Sequence, residues 1–145
     1  MFADFLKRLT APDREPLPDA DARLALTALL VRVARADGHY DAGERAMIHR
    51  IARDRYALPE VEADALCTEA EGLEAEAPDT VRFTRAIKDA VPYDARLGVL
   101  EALWRVALAD GTRSAEENAL LRLTASLLGI QDIDSHKARQ RAEAG

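Results

Sequence analysis

The sequence predicts an all-α domain of about seven helices, built as two helical repeats related by a pseudo-twofold axis. Three observations lead there. Apolar residues recur at helical spacing from Asp19 to the C-terminus. No segment alternates apolar and polar residues as a half-buried strand does. The chain also resembles itself at an offset of 73 residues, "ARADGHYDAGE" (Ala34 to Glu44) returning as "ALADGTRSAEE" (Ala107 to Glu117).

Taken in order, "MFADFLKRL" sets Phe2, Phe5, Leu6 and Leu9 on one helical face. Residues 1–10 therefore read as a short amphipathic helix, an arm that docks on the main domain or, in a homodimer, on a second copy. At two turns and weakly basic, it is a poor membrane-surface helix. Three prolines in Ala11 to Asp21 make residues 11–19 a linker, and a single domain follows over 20–145. Leu26, Leu29, Leu30, Val33 and Ala34 mark a helix from about Asp19 to Ala36, and Leu24 and Val31 widen its stripe towards burial on more than one side. Met47, Ile48, Ile51, Ala52 and Tyr56 mark a second helix. Val61, Ala65, Leu66, Ala70 and Leu73 mark a third, which begins near Pro59. Val81, Phe83, Ile87 and Ala90 give a fourth, stopped by Pro92. Leu97, Leu100, Leu103, Trp104, Ala107 and Leu108 give a fifth, and Leu120, Leu121, Thr124, Leu127 and Leu128 a sixth. "DIDSHKARQRA" is a short seventh.

The first helix then answers to the fifth, and the second and third to the sixth and seventh, with repeats over about 24–75 and 97–143. Besides the Asp-Gly pair, the copies share Leu30 with Leu103, Arg32 with Arg105, Val33 with Val106, Ala34 with Ala107 and Glu44 with Glu117. Identities at one offset point to duplication more strongly than either motif alone.

Composition bounds what such a domain does. With 145 residues, 48% of them hydrophobic and 32% charged, the chain suits one domain with a real core. A net charge of -6 lacks the basic footprint that nucleic acid needs. Cys67 is the single cysteine, which excludes an internal disulfide or a thiolate zinc cluster, and it reads as a small core residue. No apolar run approaches the ~20 residues that span a bilayer, and Met1 to Thr10 has no signal-peptide pattern, so a cytoplasmic location is expected.

The repeated loops have two explanations. Gly38 and Gly111 follow the last apolar residue of a helix, where a left-handed residue closes the final turn. Asp41 with Glu44, and Ser114 with Glu117, stand as N-cap and N3 of the next helix and match a capping box. Capping leaves Asp37 and Asp110 unexplained, because a carboxylate at a helix C-terminus opposes the dipole. An Asx-turn accounts for them, as does an arginine such as Arg32 or Arg35 holding Asp37. The other explanation is a divalent cation shared by these carboxylates. The spacing is not that of an EF-hand loop.

Two copies of "ADG", each with a Glu six positions after the Asp, on an acidic all-helical chain, resemble the TerB family of tellurite-resistance-associated proteins over about Leu24 to Ile130. Similar domains precede the J-domain of membrane-anchored DjlA-type co-chaperones. The resemblance implies a compact seven-helix TerB-like fold and a cytoplasmic role in metal or chemical stress. It further implies protein partners among membrane-associated stress proteins, and a cation site for calcium, magnesium, manganese or zinc. Its residues would be Asp37, Asp41 and Glu44 in the first copy and Asp110 and Glu117 in the second, with Ser114 replacing the counterpart of Asp41.

Other constellations are weaker. His39 lies in the first loop and faces Thr112 in the other copy, as a solvated loop residue. Arg45, His49, Arg50 and Arg53 read as a solvated face with local ion pairs. Trp104 reads as core. There is no phosphate-binding glycine loop, no nucleophile and base brought together by periodicity, and no HExxH, so an enzyme is not expected. Two functions stand side by side: a cation-binding stress domain, and a helical protein-interaction module whose acidic loops are only caps.

Overall fold

In the computed structural model, which describes residues 2–10, 17–36, 40–109 and 115–144, the described chain is helical throughout, with no strand. The elements are α1 (Ala3–Leu9), α2 (Asp19–Ala36), α3 (Ala42–Tyr56), α4 (Glu60–Glu76), α5 (Thr80–Ala90), α6 (Tyr93–Ala109), α7 (Ala115–Leu127) and α8 (Asp132–Ala144).

Helix α2 is the centre. Of residues 25–34, all but Arg32 are buried, which is the pattern of a helix covered on every side. Its one buried hydroxyl, on Thr27, donates to the Arg23 carbonyl at 2.8 Å and so reaches the interior satisfied. Helices α3, α4, α5 and α7 pack around it. The second long apolar helix, α6, buries Val99, Leu100, Ala102 and Leu103 and packs on α3, α7 and α8. The most extensive contacts are α2 on α4 and α6 on α8, so each long helix leans on the helix two further along.

Helix ends are closed by recognisable chemistry. Asp79 caps α5, its Oδ1 accepting from the Arg82 amide at 3.1 Å and its Oδ2 from Arg82 Nε at 2.7 Å, and these bonds hold its carboxyl below the usual range. Helix α7 ends in a Schellman motif. Gly129 adopts φ +68°, Ile130 N donates to Ala125 O at 3.0 Å and Gly129 N to Ser126 O at 3.1 Å. Arg96 then donates to the Leu128 carbonyl at 2.5 Å and, through Nε, to the Val91 carbonyl at 3.1 Å, so one guanidinium caps the ends of α7 and α5.

The N-terminal arm docks on the domain. Phe5 and Leu9 of α1 are buried against α5, and the Phe2 ring lies against α4 at Gly72. A Cβ there would stand 2.9 Å from Phe2 Cε2, so any larger residue would push the ring aside. Residues 11–16 of the expected linker lie outside the described residues; beyond them Leu17 N donates to the Ala90 carbonyl at 3.1 Å.

Four packing expectations need correction, the first being Ala65, expected on the apolar stripe of α4 but exposed. Val61 and Val81, expected on apolar stripes, are 81% and 64% exposed. Each lies two residues before the first buried position of its helix, Ala63 or Phe83. Two residues are roughly 200° of helical turn, which puts both valines on the opposite face. Trp104 is half-buried rather than fully core, with the Arg139 guanidinium 5.3 Å from its ring centroid.

Ala57, which ends α3, has φ +51°, a left-handed conformation that costs a residue with a Cβ about 1 kcal/mol. Ala57→Gly is accordingly expected to raise the melting temperature by about a few degrees. A fall in thermal denaturation would show that the turn is not strained.

A candidate functional site at the α2–α3 turn

Arg32 is the only residue of the central stretch of α2 that keeps some exposure, and it supplies the polar chemistry next to the first acidic loop. Its Nε donates to Glu74 Oε1 at 2.7 Å. One terminal nitrogen donates to the Pro78 carbonyl at 2.8 Å and to Thr80 Oγ1 at 3.4 Å. The other donates to the carbonyls of Glu74 at 3.1 Å and Ala77 at 3.5 Å. All five guanidinium N–H groups are thereby used. Arg32 neutralises a buried carboxylate and also satisfies the carbonyls left over at the C-terminus of α4, where the helix dipole favours a cation. The Phe83 ring packs 5.5 Å from its Cζ. On the other side of Glu74, Arg35 Nε reaches Oε2 at 3.1 Å.

A second cluster continues along α4. The Tyr40 hydroxyl donates to Glu71 Oε2 at 2.6 Å, Arg45 Nε donates to the same oxygen at 3.3 Å, and Arg45 also reaches Asp64 Oδ1 at 2.9 Å and Thr68 Oγ1 at 3.2 Å. The Arg35 guanidinium stacks on Tyr40, 5.1 Å from the ring centroid, and joins the two clusters. Burial first, and then its bond to Glu71, push the Tyr40 hydroxyl well above the ordinary tyrosine value, so it stays a donor. Burial also pushes the neighbouring Cys67 thiol up to about 11, which keeps it protonated and unreactive near neutral pH.

Of the residues expected to hold a cation, two lie wholly in the described part. Asp41 is the N-cap of α3, exposed, with Oδ1 accepting from the Glu44 amide at 2.9 Å. Glu44 is half-buried in the first turn. Asp37 and Asp110 lie outside the described residues, as do Gly38, His39, Gly111, Thr112 and Ser114. Glu117 belongs to α7, but its side chain also falls outside them. Among the described residues, no three His, Cys, Asp or Glu side chains come together as a metal site would require.

The sequence reading missed the acidic side of this site. On α4 the buried stripe is Ala63, Cys67, Ala70 and Leu73, and one residue on from each stand Asp64, Thr68, Glu71 and Glu74. That second, polar stripe borders the first and faces the α2–α3 hairpin. Arg45 is corrected with it. Rather than belonging to a solvated face, it is half-buried and ties α3 to α4.

A family model described as tellurite resistance protein TerB matches residues 23–140. The chain belongs to the TerB family. The match runs from the first turns of α2 into α8 and does not include α1. No curated protein and no solved structure matches the chain, and the likeness to co-chaperone domains has no counterpart in these comparisons. The TerB match confirms the family and the all-α fold, and no ligand comes with it.

The geometry makes two expectations measurable. Removing one partner of a buried ion pair leaves the other uncompensated, so Arg32→Met should cost about 3–5 kcal/mol in chemical denaturation. Arg32→Met combined with Glu74→Met should recover most of that; additive losses would show that the pair is not coupled. Because Cys67 holds its proton more tightly folded than unfolded, its share of stability is complete below pH 9 and is lost as pH rises towards about 11. Cys67→Ala should flatten the stability decline across that window, whatever its cost at neutral pH, and an unchanged slope would exclude the thiol as its source.

Proposed function

We propose that this TerB-family chain is a non-enzymatic cytoplasmic domain of the response to tellurite, metal or chemical stress. Its two acidic loops bind a divalent cation, calcium, magnesium, manganese or zinc, through Asp37, Asp41 and Glu44 and, more weakly, through Asp110 and Glu117. The observation that carries this reading is the full commitment of Arg32. Of the two arginines expected to hold Asp37, Arg32 is already spent on Glu74 and the end of α4, and a cation from solution takes its place. The flanks of the loop are braced by Arg35 on Glu74 and Tyr40 on Glu71, which lowers the ordering cost of binding. No helix among the described residues is long and apolar enough to cross a membrane. A stress protein at a membrane, or a second copy of the chain, is the partner this reading assigns. The two loops are similar in sequence at the 73-residue offset, and α2 packs on α4 as α6 packs on α8, although among the described residues α3 rests on α4 with no comparable contact of α7 on α8.

The interaction-module reading is favoured by one specific contact: Asp41 Oδ1 already accepts the Glu44 amide, as a cap does. Titrating each of the four cations against the amide resonances of both loops separates the two. Cation binding should shift the residues around Asp37 and Asp41 at saturating concentration. It should also raise the wild-type melting temperature. Asp37→Asn should raise the melting temperature of the metal-free protein by about a few degrees and abolish most of the cation response. Glu44→Gln should lower cation affinity without lowering metal-free stability by more than about a few tenths of a kcal/mol. If Asp37→Asn destabilises with and without every cation, Asp37 is a structural acceptor and the loops are caps.

A further inference from the structure

Among the described residues, the half-buried arginines reach a carboxylate or a carbonyl, except Arg23 and Arg55, which do neither. Both stack on one ring, with their Cζ atoms 4.7 Å and 5.5 Å from the Tyr56 centroid. Their Nε atoms and the Tyr56 hydroxyl are buried and have no hydrogen-bond partner. Three donors withdrawn from water without acceptors are unusual in a folded protein, where such groups are nearly always satisfied.

The three side chains line a cavity of about 380 Å³ between the start of α2, the end of α3 and the first turn of α6. Leu26 and Ala95 give it apolar walls. Asp19 also lines it and forms no ion pair with either arginine, so the pocket holds two cations to one carboxylate. Arg55 is placed by a glycine: a Cβ on Gly98 of α6 would lie 2.8 Å from both its Cζ and its Nη2, so only a bare backbone lets the guanidinium lie across the helix. Burial raises the Tyr56 hydroxyl to about 12, which leaves it protonated and able to donate.

We propose that this pocket binds a small phosphate monoester, the phosphate received by Arg23, Arg55 and Tyr56 and the organic body by Leu26 and Ala95. Guanidinium forks match phosphate oxygens in geometry, and two of them suit a dianion. A bare ion would leave much of a 380 Å³ space unfilled, so the apolar walls specify an ester over free phosphate. The site lies at the opposite end of α2 from the acidic loop and is independent of the cation reading.

The test is titration of the full chain with phenyl phosphate, inorganic phosphate and phenol, followed by amide and arginine Nε resonances. Phenyl phosphate should bind in the millimolar range or tighter and shift Arg23, Arg55, Tyr56 and Gly98, inorganic phosphate should bind more weakly at the same residues, and phenol should leave them unmoved. Tyr56→Phe, which keeps the ring that both arginines stack on, should weaken phenyl phosphate by about tenfold, the loss of one hydrogen bond to a charged group. Arg55→Lys keeps the charge and loses the fork, and should weaken it by at least as much. Absence of shifts with phenyl phosphate, equal shifts with phenol, or undiminished binding in both variants when they remain folded would overturn the proposal.

Discussion

Arg32 enters the interior from the only partly exposed position in the middle of α2 and meets Glu74, the buried carboxylate of α4, at 2.7 Å. Neither charge tolerates that environment alone, because desolvation of an unpaired ion exceeds anything nearby packing returns. The pair therefore fixes the register of α2 against α4. It also fixes the turn from α4 into α5, since the same guanidinium holds the carbonyls of Ala77 and Pro78. Arg35 and Tyr40 take their positions from this arrangement, Arg35 by sharing Glu74 and Tyr40 by lying beneath Arg35. The flanks of the first acidic loop are in this sense an extension of one buried ion pair.

The offset of 73 residues places Arg105 opposite Arg32, but the two serve different elements. Arg105 reaches Asp54 of α3 at 2.8 Å and Glu101 of its own helix at 3.2 Å. In the sequence, Leu108, Arg113 and Asn118 occupy the positions that correspond to Arg35, Tyr40 and Arg45. The residues that brace the first loop thus have no counterparts in the second. The arginine at that offset instead joins α6 to α3.

Most of the fold was legible because helical periodicity is a local property, and α2, whose stripe is too wide for one face, announced its own burial through Leu24 and Val31. The cap at Asp41 was legible for the same reason, its partner being three residues away. The bonds that shape the site are not local. Arg32 and Glu74 are 42 residues apart, and nothing in either neighbourhood names the other. Even so, the polar stripe Asp64, Thr68, Glu71 and Glu74 follows the apolar stripe of α4 at a constant shift of one residue. A stripe of that kind bordering a buried face marks a helix that meets charge on its flank. Val61 and Val81 show the opposite error, in which hydrophobic identity was read without its angle around the helix.

The central position of α2 has a consequence for how the chain acquires its structure. Its buried surface is covered by α3, α4 and α5, which follow it directly, and by α7 from much further along the chain, while α3 also rests on α6. The first helices therefore cannot complete their interior without α6 and α7. Folding is then a single cooperative event, in which a contact between distant parts of the sequence must form before α2 leaves water. A chain released partway through synthesis, before α7 has emerged, would hold its most apolar helix uncovered along one side. That interval is when it is most exposed to aggregation and most dependent on whatever first shields it.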